Sequence, residues 1–224
     1  MRVHRFFVGD EIELKKDFWL HDQAMLWQWN KVLRFGEGQD VILFDGRTTD
    51  RLYKIAKIDK TEAHLVMITE LEQNLPEKHI YLFWSLLKKD NNELILQKAT
   101  ELGVTNFVPL ITDRTIKKEF NLERAEKIVR EASEQCGRSD IPHIREPIHI
   151  KKALPEYLEV KIYICHQGEK KTEILDKKIG LVIGPEGGWS DDELEFFKAQ
   201  NYEHIAISEF TLRAETAAII ASSL

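Results

Sequence analysis

After residue 76 the chain changes rhythm, and that change limits its fold more than any other feature. Ile80–Leu87 reads as a strand, Asn91–Leu102 as a helix stopped by Gly103, and Phe107–Ile111 as a strand. Asn121 caps a helix to about Gly137, with Leu122, Ala125, Ile128, Val129 and Ala132 on its apolar side. Strands at Ile162–Cys165 and Leu181–Ile183 follow, then a helix over Asp191–Gln200, a strand at Ile205–Ile207 and a helix over Ala214–Leu224. Alternating βα units of this length predict a parallel sheet covered by helices. Such a sheet gathers its loops at the carboxyl ends of the strands, where α/β proteins bind ligands.

The first 75 residues follow a different period. Arg2–Val8, Asp40–Asp45, Leu52–Ile58 and Ala63–Glu70 are short and apolar, and Gly9-Asp10, Gly36-Glu-Gly38, Asp45-Gly46 and Asp59-Lys60 separate them. One stretch is helical: Met25, Leu26, Trp29, Val32 and Leu33 share a face, with Asp22 as N-cap and Gly36 as the stop. The expectation is a small β-barrel carrying one helix over residues 1–73. The polar segment Glu72-Gln-Asn-Leu-Pro76-Glu-Lys links it to a second domain over 74–224.

Composition excludes several classes. Hydrophobic residues make up 43% and charged residues 31% of the 224, a globular balance. The net charge of −6 argues against a basic nucleic-acid coat protein. No apolar run approaches the roughly 20 residues that cross a bilayer, so no membrane partner is expected. Phe6-Phe7-Val8 passes at once into charge, unlike a signal peptide. A cytoplasmic location follows as an expectation, with Cys136 and Cys165 as free thiols. Walker A, G-x-G-x-x-G, G-x-S-x-G and H-E-x-x-H motifs are missing, and the eight histidines lack ligand spacing, so no metal is expected. One segment is locally basic: from Arg114 to Arg130 six bases face three acids, either a solvated face or a phosphate-binding surface.

Two loops carry the strongest sign of chemistry. In Leu181-Val-Ile-Gly184-Pro185-Glu186-Gly187-Gly188-Trp189-Ser190 a buried strand enters a glycine-rich turn, and Ser190 with Glu193 forms a capping box for the next helix. Glycines let a ligand approach the backbone. In Ile207-Ser-Glu-Phe-Thr-Leu-Arg213-Ala-Glu215-Thr-Ala another strand ends in a polar loop before a helix, with Arg213 between apolar neighbours. Either loop alone is readable as a tight turn or a surface ion pair. Two at one sheet edge point to a ligand site.

Ile-Gly-Pro-Glu-Gly-Gly and Leu-Arg-Ala-Glu-Thr-Ala together resemble the signature of the RsmE family, ribosomal RNA uridine-N3 methyltransferases of the knotted SPOUT class. The resemblance covers nearly the whole chain. Arg5-Phe6-Phe7-Val8, Lys31-Val-Leu-Arg34, Asp45-Gly46, Gln97-Lys-Ala-Thr-Glu-Leu-Gly103-Val and Glu131-Ala-Ser-Glu-Gln135-Cys-Gly-Arg138-Ser, followed by Pro142, occur in the family's order. Departures are Ser208 for a usual glycine, Thr211 for isoleucine, Lys88-Lys89-Asp90 for Lys-Gly-Asp, and Asp113-Arg114-Thr115 for Glu-Arg-Ser. Ser208 lies where the cofactor's adenine would pass.

The resemblance implies a PUA-like, RNA-binding β-barrel followed by an α/β SPOUT domain with a C-terminal trefoil knot over roughly 160–224. It implies a homodimer, for which the apolar run Ala217-Ala-Ile-Ile-Ala suits burial. The cofactor it implies is S-adenosylmethionine, lined by His166, Gly184, Glu186, Gly187, Gly188, Ile207, Ser208 and Leu212. Arg213, Glu215 and Arg138 are the implied catalytic candidates, Glu215 for a general base. Arg5, Lys88, Arg114 and Arg138 are the implied RNA contacts. The activity implied is methylation of N3 of one uridine in 16S ribosomal RNA, within the assembled small subunit. A catalytically inactive ribosome assembly factor and a transfer-RNA methyltransferase of the same fold are the alternatives.

Overall fold

The computed structural model describes residues 3–9, 12–166 and 174–224. They form two units. The first comprises residues 1–75 with 133–141, the second 76–132 with 142–224. The segment 133–141 thus departs from the continuous boundary expected near residue 73. Its reason is polar: Ser139 Oγ donates to the Asp50 carboxylate at 2.6 Å, and Glu134 accepts from the Phe7 N–H at 2.9 Å.

In the first unit five strands pair in the order β1 (His4–Phe7), β3 (Asp40–Phe44), β4 (Asp50–Ile58), β5 (Ala63–Leu71), β2 (Asp17–Leu20). The β1–β3 pair is parallel and the rest antiparallel, with two register shifts between β4 and β5. Among the described residues the ladder of this small β domain ends at β1 and β2. Phe6, Leu26, Trp29, Val41, Tyr53 and Leu65 fill its core. Asp22 caps α1 (Gln23–Trp27), accepting from the Met25 N–H at 2.9 Å. The chain then makes a π-helical turn over Gln28–Leu33 and stops at Arg34, whose φ is +56°.

The second unit carries a seven-stranded sheet. β6 (His79–Ser85), α2 (Lys89–Glu101), β7 (Val104–Ile111) and α3 (Leu122–Cys136) are followed by β8 (His143–Ile144), β9 (Ile148–His149) and α4 (Ile150–Ala153). Then come β10 (Lys161–Cys165), β11 (Lys178–Ile183), α5 (Asp191–Ala199), β12 (Glu203–Ile205) and α6 (Ala214–Ala221). The order is β12-β10-β11-β6-β7-β8, with β9 beside β7, and every pair is parallel. The central strands are buried on both faces, as a doubly covered sheet requires. Phe83, Val108, Ile162, Ile164, Val182 and Phe197 form one side of that core. The chain leaves β6 towards β7 in one direction and returns on its other side through β11 and β10. That reversal makes the carboxyl edge near β11 a switch point, where a crevice opens for a ligand.

Candidate functional site

Three loops from adjacent strands β12, β10 and β11 enclose a cavity of about 400 Å³ at this carboxyl edge. Cys165 and His166 come from the end of β10, and Ile183 to Glu186, Gly188 and Trp189 from β11 and its turn. Ile207, Ser208 and Phe210 to Ala214, with Ala217, complete the wall before and within α6. The turn after β11 is closed by the Gly188 N–H, which donates to the Pro185 carbonyl at 2.9 Å, with Gly188 at φ +70°. Gly184 is demanded by packing. A Cβ there would lie 3.0–3.1 Å from the Trp189 indole, which is itself buried and edge-on to Phe197 at 5.0 Å.

A buried carboxylate fixes this turn to its neighbour. Glu193 is fully buried, accepting from the Ser190 N–H at 2.8 Å and from the Asp113 N–H at 3.0 Å. The first bond is half of the capping box of α5; the second reaches the loop after β7. Ser190 Oγ donates to the Asp113 carboxylate at 2.5 Å, and Arg114 Nη1 donates to the Gly187 carbonyl at 2.6 Å. Beneath that loop Ser85, Thr112 and Thr115 share a buried hydroxyl cluster with contacts of 2.8–2.9 Å. The glycine turn therefore sits on a frame with its backbone held at both ends.

Residues 73–224 match the RNA methyltransferase domain family, and residues 31–68 match the RNA methyltransferase PUA domain. The chain is 30% identical to the ribosomal RNA small subunit methyltransferase E of Rickettsia conorii, over 99% of this chain and 94% of that protein. It is 33% identical to that of Aquifex aeolicus over 74% and 76% of the two chains. It superimposes with a TM-score of 0.89, at 27% identity, on a ribosomal RNA small subunit methyltransferase E from Neisseria gonorrhoeae bound to S-adenosyl methionine, covering 99% and 96%. A putative methyltransferase from Legionella pneumophila with the cofactor SAM bound gives 0.87, covering 100% and 96%. The chain belongs to the ribosomal RNA small subunit methyltransferase E family.

Of the residues the family resemblance singles out for the cofactor, His166, Gly184, Glu186, Gly188, Ile207, Ser208 and Leu212 all line the cavity, as does Arg213. Gly187 lies outside that lining, and its carbonyl receives Arg114. Ser208, the departure from the family pattern, accepts from the Phe210 N–H at 3.1 Å and so shapes its own loop. Glu215 is in the first turn of α6 but is not part of the lining. Its carboxylate complements the positive end of that helix.

Two of the expected RNA contacts, Arg5 and Arg138, are largely buried. Arg5 is ion-paired with Asp50, their side chains 12% and 1% exposed, and lies 5.0 Å from the Phe44 ring centroid. Arg138, 5% exposed, holds Asp140 through two bonds of 2.8 and 2.6 Å. Both guanidiniums are engaged inside the first unit rather than turned to solvent. Lys88 and Arg114 are exposed.

Sequence reasoning missed Trp189, Phe210 and Cys165 as lining residues. Trp189, beside the capping serine, carried a usable signal in its place directly after the glycine turn. Cys165 carried none, because its position depends on the end of β10. Burial pushes its thiol up to about 12, which favours the protonated form. Among the described residues no group of three or more His, Cys, Asp or Glu side chains is placed to hold a metal, and no helix is long and apolar enough to cross a membrane.

Proposed function

We propose that this chain transfers a methyl group from S-adenosylmethionine to N3 of one uridine in 16S ribosomal RNA. The observation that carries the reading is the glycine-turn cavity, built from three loops at one sheet edge in a chain matching the family along its length. The cavity fits the cofactor's chemistry. Ile183, Leu212 and Trp189 offer apolar walls for an adenine, and the turn from Gly184 to Gly188 brings backbone polar groups close to the ribose and amino-acid parts.

When bound, the sulfonium supplies a methyl group already activated for transfer. The protein's task is then alignment, in which orientation is worth about 7–11 kcal/mol. Gly184, Gly188, Ile207, Ser208 and Leu212 hold the donor, and His166 lies at the mouth. Gly187 positions the turn through Arg114. Arg213, exposed at the N-cap of α6, faces the uracil carbonyls and supports the negative charge that grows on the ring as N3 loses its proton. Among the described residues Glu186 is the one carboxylate of the lining, which favours it over Glu215 as the proton acceptor.

The reading extends to a homodimer, with the half-exposed Leu94 of α2 and Ile220 of α6 as its apolar contacts, and to a trefoil knot in the last βα segments. An acidic protein with a limited basic face suits a preformed surface, so the assembled small subunit in the cytoplasm is its substrate. The test uses labelled S-adenosylmethionine and small subunits from cells lacking this gene, with the label mapped by mass spectrometry. A single 3-methyluridine is expected. Cofactor binding without label redirects the activity to another RNA. Neither binding nor label replaces the enzyme by an inactive RNA-binding factor.

A further inference from the structure

A second cavity, of about 490 Å³, opens in the same unit between the β6–α2 turn, residues 117–121 and the first turns of α3. Its floor is apolar: Leu96, Ala125 and Ile128 are buried and Phe120 is half-buried, set against Trp84 at 6.2 Å. Its rim carries Lys88, Lys89, Lys117 and Arg124 against Glu93 and Glu119. Glu93 is spent on Arg124, at 2.8 and 3.3 Å, and lies 3.9 Å from Lys89. A chain of net charge −6 therefore surrounds this one apolar hollow with surplus positive charge.

The position is informative. Leu87 follows β6 and residues 117–121 follow β7, so the hollow shares the carboxyl edge with the glycine-turn cavity. Arg114 bonds to Gly187 of the glycine turn, and Ile116, 87% exposed, stands between Arg114 and the Lys117-Lys118 pair in the chain.

We infer that this hollow takes an unstacked nucleotide of the substrate RNA near the target uridine, its base on the apolar floor and its phosphates on Lys88, Lys89 and Lys117. The inference rests on the RNA-methyltransferase reading and adds a second subsite to it. A bare anion needs no apolar floor, and a purely apolar ligand needs no cationic rim. Enzymes that act on a base take nucleotides out of the stack, and stacking on an apolar or aromatic surface tolerates any base. Tolerance is expected here, because the carbonyl oxygens of both lining amides already accept N–H groups of the protein. Asn92 accepts from Trp84 Nε1 and from the Leu87 N–H and donates to the Leu87 carbonyl; Asn121 accepts from the Arg124 N–H.

The test is equilibrium binding of a fluorescein-labelled, single-stranded RNA of about 12 nucleotides to the full chain from 50 to 300 mM salt. Cofactor binding is followed separately by calorimetry. Lys88→Ala with Lys117→Ala should weaken RNA binding at least fivefold and reduce the log–log salt slope by about 1.4, two phosphates at about 0.7 each. Ala125→Leu, which fills the hollow and keeps the charges, should weaken binding about fivefold with the slope unchanged. Cofactor affinity should stay the same in both. RNA carrying 4-thiouridine, irradiated with the unaltered protein, should crosslink at or beside Phe120, a readout independent of any variant's folding. Unchanged affinity in a folded Ala125→Leu protein, or crosslinks confined to other surfaces, overturns the inference. So does a wild type that fails to bind the RNA at 50 mM salt. A wild type that binds RNA here but no S-adenosylmethionine refutes the methyltransferase reading instead, so the two failures are distinct.

Discussion

Glu193→Gln is the sharpest probe of how the glycine turn is held. The carboxylate is fully buried and accepts two backbone bonds, from Ser190 at 2.8 Å and Asp113 at 3.0 Å. Glutamine keeps one acceptor and turns an NH2 group towards the other N–H. One charge-assisted bond is lost, at about 1.5–3 kcal/mol. Glu193→Ala loses both and leaves two buried donors, at about 3–6 kcal/mol. Ser190→Ala removes the N-cap hydroxyl and its bond to the Asp113 carboxylate, at about 1 kcal/mol, but keeps the bond from the Asp113 N–H to Glu193. At about 2–4 °C per kcal/mol for a chain of this size, thermal denaturation should place Glu193→Gln some 3–12 °C below wild type. Ser190→Ala should fall above it and Glu193→Ala below it. Cofactor titration should show weaker binding in the same order, because Gly187 and Gly188 lie just ahead of Trp189 and Ser190. A Glu193→Gln protein with wild-type melting temperature and cofactor affinity would refute the idea that one carboxylate spans the two loops.

Gly184→Ala should lower stability by about 1–3 kcal/mol and weaken cofactor binding, because its Cβ would press on the Trp189 indole; thermal melting and calorimetry check it. Asp50→Asn should cost about 3–5 kcal/mol in urea denaturation by leaving the Arg5 guanidinium buried and unpaired, whereas an RNA-contact role for Arg5 would leave stability unchanged. Burial raises the Cys165 thiol, so iodoacetamide followed by mass spectrometry at pH 8 should alkylate it far more slowly in the folded protein than in the unfolded chain. Asp45 is held at about 2: partial burial opposes this, but the Thr48 hydroxyl and the N–H groups of Thr48, Arg47 and Thr49 outweigh it. Its folded value is depressed, so its stabilisation is complete above the unfolded value near 4 and is lost as pH falls towards 2; the stability gap to Asp45→Asn should narrow over that window.

What the sequence revealed depended on how local the cause was. The capping box of Ser190 and Glu193 was legible because both partners lie within four residues, and α5 starts where it predicts. The strands at 40–44, 52–58 and 63–70 were legible from composition and turns. β2 was not, because Asp17–Leu20 is four residues long and becomes a strand only by pairing with β5. The last strand falls at Glu203–Ile205, two residues before its expected start, since the register with Tyr163–Cys165 rather than local pattern sets it. The single helix expected over 22–35 divides into α1 and a π-helical turn, and it stops at Arg34 before the glycine that was to end it.

The cavity lining was legible for a related reason: each loop is a strand end, and parallel pairing alone brings strand ends to one edge. The burial of Arg5 and Arg138 was not legible because charge in a sequence says nothing of its partner. Arg5 finds Asp50 forty-five residues away, and Ser139, eighty-nine residues from Asp50, adds its hydroxyl to the same oxygen. A guanidinium buried this way contributes by pairing, and removing one partner costs more than the pair was worth. The same logic separates Arg114 from both. Its aliphatic stem lies 3.4 Å from where a Cβ on Gly187 would sit, and its guanidinium reaches the Gly187 carbonyl while remaining exposed. It therefore both locks the turn and leaves positive charge at the edge where RNA would run. Arg114→Lys, which cannot reproduce the planar fork, should then weaken cofactor and RNA binding together. An exposed phosphate contact alone would lose RNA affinity without moving the cofactor's. Paired titrations of the two ligands decide between these outcomes.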